Sequence, residues 1–220
     1  MKFRMVSTML SSTLSSTLSS TLRKIQGFGL CLLLLIPLSG ICAPDPRQSV
    51  QDTTDTLLAK LIEVKPLHAT EPEKFFKEVD TALGPFVDFE AFSRGVMAKY
   101  YRRASDDQKA RFEKTFRIGL IQTYANALVG FDNQKVEVME SASDNSRENR
   151  ASIDLLIHGQ DGAQYTVNYS LGLVDDVWKL RNVTIEGINV GLQFRSQFAA
   201  YMQKYSNDID LVIENWAVDV

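Results

Sequence analysis

The spacing of apolar side chains changes at Gly130 in this chain of 220 residues, and that change limits the folds open to it. Before Gly130, apolar residues recur every three or four positions, which is the spacing of amphipathic helices. After Gly130 they alternate with polar residues, as in strands that have one buried face. Helices followed by strands that are close in sequence predict the α+β class with an antiparallel sheet.

The helical part has clear boundary signals. Gly84-Pro85 interrupts the apolar pattern, and Asp88 is placed to cap the helix that follows it. Ser105 and Gln108 form a capping-box pattern at the start of a long helix, for which Gly130 is the predicted stop. The predicted helices cover 49–65, 70–83, 89–101 and 106–129.

Four strands are predicted after these helices. In the fourth strand Trp178 and Leu180 share one face, whereas Val183 and Ile185 fall on the other. A change of face within one strand predicts a bulge, here near Asn182, and a bulge curves a sheet. The predicted strands are 135–138, 151–158, 164–173 and 178–185, with hairpin turns at 159–162 and 175–176.

The chain returns to helical spacing after the fourth strand. Gly187 and Gly191 give the backbone the freedom to turn into a helix that carries Leu192 and Phe198, and Asn207 is placed to cap a last short helix. The predicted fold is thus helices, then a curved four-stranded antiparallel sheet, then closing C-terminal helices. Because a curved sheet meets an aromatic-rich helix, we expect an apolar pocket between them.

Residues 1–43 have the three regions of a secretory signal peptide. Arg23-Lys24 precede an apolar run from Phe28 to Leu38, and small residues follow as far as Ala43. The run is shorter than the ~20 residues that span a bilayer, so a cleaved signal is favoured over a retained anchor. We therefore expect residues 44–220 to form one secreted domain.

Cysteine content and net charge limit how that domain can be cross-linked and what it can bind. Both cysteines, Cys31 and Cys42, lie in the leader, and cleavage after Cys42 or after Ala43 stays open. The domain after Ala43 would then contain no disulfide. It has 20 basic and 27 acidic residues, a net charge of −7, which argues against nucleic acid as a partner.

Sequence patterns for catalysis are missing from the predicted domain. It has no cysteine nucleophile, no Gly-x-Ser-x-Gly elbow and no phosphate-binding loop, and His68 and His158 are far apart. Asp154 falls on the polar phase of its strand and Asp88 already serves as a cap, so these two carboxylates make a poor acid–base pair. We predict no catalytic residue, no metal site and no cofactor.

Basic residues cluster between Lys99 and Arg117. Such a cluster is usually a solvated helical face. The alternative interpretation is a docking patch, centred on Arg102 and Arg103, for an acidic partner or an anionic head group.

From Ser49 to Trp216 the chain resembles the toluene-tolerance family of secreted proteins. The matching residues keep the order expected for that family. They are Tyr100-Tyr101, Ser105, Gln108, Phe112, Phe116, Tyr124-Ala125, Trp178, Glu186-Gly187 and Arg195-Ser196-Gln197.

This resemblance implies a periplasmic phospholipid-binding carrier and not an enzyme. The family's fold is a curved sheet packed by helices around a deep apolar pocket, which holds the acyl chains and leaves the head group outside. Phospholipid would be cargo, shuttled between an outer-membrane lipoprotein–porin complex and an inner-membrane ABC transporter complex to maintain outer-membrane lipid asymmetry.

The predicted lipid-binding residues are the inward-facing apolar positions of the sheet and of three helices. They are Val96, Tyr100, Phe116, Leu120, Val138, Ile153, Leu155, Val167, Tyr169, Val183, Ile185 and Phe198. Two other functions stay open for such a chain. An isomerase or hydratase would need a buried carboxylate or tyrosine in the pocket, and a chaperone or interaction module would show an exposed apolar groove.

Overall fold

The computed structural model describes residues 44–129, 135–140, 149–159 and 162–217. The predicted signal peptide, the helix stop at Gly130 and part of the 159–162 turn lie outside these residues. In the described part of the chain the fold is α+β, as predicted, and no helix there is long and apolar enough to cross a membrane.

Helices form the first part of the domain and close it at the C-terminus. They are α1 (Pro46–Val64), α2 (Leu67–Thr70), α3 (Pro72–Leu83), α4 (Phe89–Met97), α5 (Asp106–Val129), α6 (Val190–Lys204) and α7 (Ile209–Glu214). The short helix α2 is not in the predicted set. It begins directly after Pro66, where the sequence pattern indicated only the end of α1.

Two helix boundaries differ from the prediction for backbone reasons. The third predicted helix ends at Met97 because Ala98 has a φ of 49°, and a 3₁₀ turn over Ala98–Tyr100 follows. Asn207 also has a positive φ, of 64°, and so cannot act as the predicted cap of the last helix. Asp208 caps α7 instead, since its carboxylate accepts bonds from the backbone N–H groups of Asp210 and Leu211.

The predicted capping box is confirmed at the start of α5. The Ser105 hydroxyl accepts a bond from the Gln108 backbone N–H at 3.1 Å, and the Gln108 side-chain oxygen accepts one from the Ser105 N–H at 3.0 Å. Gln108 also donates to Asp210, which joins the first turn of α5 to α7. Arg111 and Gln108 together lower the pKa of the Asp210 carboxyl.

Replacing Ser105 by alanine should therefore destabilise the domain by about 1 kcal/mol, because one N–H of the first turn of α5 loses its acceptor. Urea unfolding followed by tryptophan fluorescence measures this loss. Ser196→Ala is the matched control, since Ser196 lies inside α6 and bonds only the Leu192 carbonyl. A stability loss for Ser105→Ala no larger than that of the control would contradict the assignment.

The sheet is an antiparallel meander in which each strand pairs with its neighbours in sequence. Its strands are β1 (Val136–Val138), β2 (Arg150–His158), β3 (Gln164–Val174), β4 (Val177–Ile185) and β5 (Ile188–Asn189). Asp175 and Asp176, with φ of 50° and 60°, form the tight turn between β3 and β4. This hairpin turn was predicted.

The described sheet has five strands and not the predicted four. Glu186 and Gly187 both have positive φ, which turns the chain back so that Ile188 pairs with Ile185. The sequence prediction treated this segment as part of the turn into the helix, because two residues are too few to show a strand period.

The predicted bulge is present in β4. Asn182 pairs with Ser170 and Leu180 pairs with Leu171, so Arg181 has no opposite residue on β3. The bulge lets Leu180 and Val183 face the same side of the sheet. Its position explains the change of apolar phase seen in the sequence.

Buried side chains form two core clusters. The helical cluster is built on α3 to α7 and includes Phe75, Phe112, Phe116 and Phe198, all with no exposed surface. The sheet cluster is built on the inner faces of β2, β3 and β4 and also contains Val50 and Phe86. Val87, Val183 and Ile185 pack against both clusters. The candidate site lies where the two clusters face each other.

Candidate binding cavity

A recessed cavity of about 190 Å³ lies between α1, α3 and the sheet. Its wall combines side chains of the helical cluster with side chains of the sheet cluster. The lining residues are Thr54, Leu57, Leu58, Lys60, Leu61, Val64, Val79, Ala82, Leu83, Phe86, Val136, Ile157 and Tyr169.

Periodicity explains why these elements present apolar groups to one space. Leu57, Leu61 and Val64 are four and three residues apart, so they share one face of α1. Val79 and Leu83 share a face of α3 in the same way. On the sheet side Val136 and Ile157 are paired across β1 and β2, which brings their side chains to the same face.

A second cavity, of about 290 Å³, adjoins the first. Leu57, Ala82 and Phe86 line both, so these three side chains form the partition between the two spaces. The second cavity also takes in Thr53 and Trp178. The two spaces together fall within the ~300–1,000 Å³ typical of small-molecule pockets, whereas the first alone is smaller.

The few polar groups of the first cavity are not arranged for acid–base chemistry. Lys60 is paired with Glu78 and Glu63, both at 2.9 Å, and these bonds raise the pKa of its ammonium group. Burial raises the pKa of the Tyr169 phenol, so this hydroxyl stays protonated at neutral pH. No carboxylate is among the described residues that line this cavity. Such a lining suits an apolar ligand better than a substrate that must exchange a proton.

The predicted lipid-binding residues divide between the two core clusters. Val138, Ile153, Leu155 and Val167 come together in the sheet cluster; Val96, Tyr100, Phe116, Leu120 and Phe198 come together in the helical cluster. Val183 and Ile185 touch both clusters, and Tyr169 lines the cavity itself. For all twelve residues, Tyr169 included, direct contact with a ligand stays a prediction.

The contribution of α1 and α3 to the wall was missed by sequence reasoning. Both helices were predicted, but their apolar faces were attributed to ordinary core packing. The adjacent pair Leu57-Leu58 was the available signal, because two neighbouring leucines give α1 an apolar face wider than one packing contact needs.

The carboxylates weighed as catalytic candidates have structural roles. Asp88 caps α4 through the Ala91 N–H at 2.9 Å and accepts a bond from Arg181 Nε at 2.8 Å. Asp154 is exposed and bonded to Asn168 at 2.7 Å.

The histidines also have local partners in the structure. His158 Nε2 lies 3.5 Å from a Glu137 carboxylate oxygen, and His68 Nε2 lies 2.9 Å from the Asn126 side-chain oxygen. Across 44–129, 135–140, 149–159 and 162–217, no three His, Cys, Asp or Glu side chains are grouped closely enough to hold a metal ion.

Arg102 and Arg103 are exposed in the turn between the 3₁₀ segment and α5. Arg103 lies 5.4 Å from the centre of the Tyr100 ring, and Lys99 lies 5.0 Å from the same ring. Within the described part of the chain these three cations form no ion pair. The turn therefore carries free positive charge at the surface.

The fold and the cavity define a class of protein. A helical layer and a sheet enclose a space lined mainly by apolar side chains, which is the arrangement of a protein that binds an apolar ligand. Comparison with known proteins gives the family: the chain belongs to the MlaC protein family, whose model matches residues 51–218. The resemblance seen in the sequence is thereby confirmed.

Individual relatives agree with this membership. Over 192 residues the chain is 39% identical to the toluene tolerance protein ttg2D of Pseudomonas putida, covering 87% of this chain and 88% of that protein. Over 159 residues it is 25% identical to the intermembrane phospholipid transport system binding protein MlaC of Haemophilus influenzae, covering 71% and 74%.

A solved structure shows the same fold. The phospholipid-binding protein from Ralstonia solanacearum, solved in complex with a phospholipid, superposes with a TM-score of 0.70 at 22% identity. The match covers 77% of this chain and 93% of the Ralstonia chain.

Proposed function

We propose that this protein is a periplasmic phospholipid carrier whose cavity between α1, α3 and the sheet holds acyl chains. The observation that carries the proposal is the pair of adjoining cavities, which share Leu57, Ala82 and Phe86 in their walls. The Haemophilus relative is named for phospholipid transport and the Ralstonia protein for phospholipid binding, and both names support the same ligand.

The energetics of transit explain why such a carrier needs an enclosed site. Each methylene hidden from water is worth ~0.8 kcal/mol, so two acyl chains with about thirty methylenes would cost on the order of 20 kcal/mol if exposed. Free diffusion of a phospholipid through water is therefore negligible. An apolar slot removes this cost, and the head group can stay in solvent.

The partition between the two cavities must move to admit a diacyl lipid. Phe86 is well placed for this movement because it lies in the connection after α3, three residues beyond Leu83, and its ring lies 5.9 Å from the ring of Tyr169. The N-terminal end of α1 is tied to the sheet by two bonds, from Trp178 Nε1 to the Pro44 carbonyl at 2.6 Å and from Arg47 to the Val138 carbonyl at 3.3 Å. We propose that loading displaces the Phe86 ring and the middle of α1 while these ties hold.

The test of the ligand is extraction of the protein after secretion and processing by its host cell, followed by mass spectrometry. We expect phospholipid in stoichiometric amount. A protein that is empty, and that also fails to take up lipid from vesicles, would contradict the proposal and leave the chaperone or interaction module as the function to test.

Transport between membranes is the second part of the proposal. The carrier would exchange lipid with an outer-membrane lipoprotein–porin complex and with an inner-membrane ABC transporter complex. Arg102 and Arg103 are proposed as a docking point, since both are exposed and carry charge that no described residue neutralises.

Charge reversal of both arginines, Arg102→Glu with Arg103→Glu, should weaken binding to at least one of these complexes roughly tenfold, since lost rim charges mainly slow association. Surface plasmon resonance on each purified complex measures this. Lys204→Glu is the control, as it changes an exposed cation on α6, outside the basic cluster between Lys99 and Arg117. Unaltered binding to both complexes would remove these arginines from the docking surface.

A further inference from the structure

A further recess, separate from the two apolar cavities and with polar side chains in its wall, lies between α4, the bulge of β4 and the first turn of α6. Its volume is about 210 Å³, and its wall includes Gly95, Arg181, Asn182, Asn189, Leu192 and Arg195. It shares no lining residue with the apolar cavity, so a ligand there would be separate from the proposed lipid.

The two arginines are fixed in the wall by their Nε atoms. Arg181 Nε donates to the Asp88 carboxylate at 2.8 Å, and Arg195 Nε donates to the Gly95 carbonyl at 3.0 Å. Each of these bonds uses one of the five N–H donors of a guanidinium group. The paired Nη groups are thus held in place and can still bind an acceptor that enters the recess.

The backbone around the recess is built to keep this arrangement. Arg181 is the extra residue of the β4 bulge, and its guanidinium lies against Gly172, where a Cβ would overlap it. The Asn182 side-chain oxygen accepts a bond from the Gly191 N–H at 2.9 Å and occupies the space where a Cβ of Gly191 would be. Both glycines are therefore needed for the polar side chains to reach their positions.

Charge in the recess is the opposite of the charge on the whole domain. No carboxylate lines it, and Asp88 compensates only one of its two arginines. The domain after Ala43 nevertheless has a net charge of −7. One apolar side chain of the wall is exposed: Leu192, which sequence reasoning placed on the helix after the fourth strand, is 50% exposed.

We infer that this recess binds a carboxylate side chain from an acidic segment of a partner protein, with an apolar neighbour of that side chain resting on Leu192. The planar guanidinium group of arginine can donate two parallel hydrogen bonds to a carboxylate. An arginine beside an exposed apolar group is also typical of interaction sites. A concave recess of this size admits a single side chain but not a flat bilayer. The inference does not depend on lipid binding.

The probe for this site is the peptide acetyl-Leu-Asp-Glu-Leu-amide, titrated into ¹⁵N-labelled protein. The readout is the Nε–Hε signals of the arginines in NMR spectra. We expect saturable shifts of the Arg181 and Arg195 signals, and no such shifts with acetyl-Leu-Asn-Gln-Leu-amide. Equal responses to both peptides would overturn the inference.

Variants complete the test. Arg195→Gln should weaken binding of the acidic peptide roughly tenfold, the loss expected for one charge-assisted contact. Arg94→Gln, which changes an exposed arginine on α4 outside the recess, should leave it unaltered. Equal affinity of Arg195→Gln and the unchanged protein would overturn the inference. So would co-sedimentation with phosphatidylglycerol vesicles that is lost in Arg195→Gln, because it would identify anionic lipid as the ligand.

Discussion

Replacing Ala82 by tryptophan should reduce the phospholipid that co-purifies with the protein roughly tenfold or more, because the lipid would have to crowd against the added indole at a cost of about 1–3 kcal/mol. Ala82 lies on α3 in the partition between the two apolar cavities and faces both of them. An indole at this position would occupy the space into which we propose that acyl chains enter. The measurement is lipid phosphorus per protein after secretion.

The control for this substitution is Ala200→Trp. Ala200 is an exposed residue of α6 and lines neither apolar cavity. The Ala200→Trp protein should keep its full lipid content, and circular dichroism should show that both variants are folded. A folded Ala82→Trp protein with normal lipid content would place the acyl chains elsewhere, and the sheet residues Val183 and Ile185 would become the next positions to test.

The second large effect concerns the helical cluster. Phe116→Ala should lower the free energy of unfolding by about 3–5 kcal/mol, as expected for truncation of a fully buried phenylalanine. Phe116 has no exposed surface, and its ring centre lies 5.2 Å from that of Phe92 and 5.3 Å from that of Phe194. It also stacks on Phe112 at 5.8 Å. Its removal would leave a void that this many aromatic neighbours cannot fill.

Denaturant unfolding measures this effect, with Ile62→Ala as the control. Ile62 is on α1 and 59% exposed, so its truncation should change stability by less than about 0.5 kcal/mol. A loss below about 1 kcal/mol for Phe116→Ala would show that the cluster relaxes around the void. The same residue was predicted as a lipid contact, and lipid content in the folded fraction of this variant tests that role separately.

These two substitutions test separately the roles of two groups of apolar residues, one aromatic and one aliphatic. The aromatic side chains of α4 to α7 contact one another and hold the helices together. The aliphatic side chains of α1 and α3 face the sheet across a space that they do not fill. Stability should therefore respond mainly to the first group and lipid binding mainly to the second.

Secondary structure was largely readable from the sequence because it depends on neighbouring residues. The capping box at Ser105 and Gln108 and the bulge beside Asn182 were both predicted and are both present. In two places where the prediction was wrong, the backbone adopts a positive φ that side-chain patterns do not reveal. Ala98 ends α4 early for this reason, and Glu186 with Gly187 creates the fifth strand.

The sequence by itself determined the α+β class, the hairpin at Asp175-Asp176 and the family, since each depends on local periodicity or on recognisable short motifs. Only the tertiary structure decided where the cavity lies. An apolar residue that fills a core and one that lines an empty space have the same pattern in sequence, because both avoid water. Only the distance to the facing element separates Leu57 from Phe116. The same holds for Arg181 and Arg195, which come from a strand and a helix and form one recess only after the chain has folded.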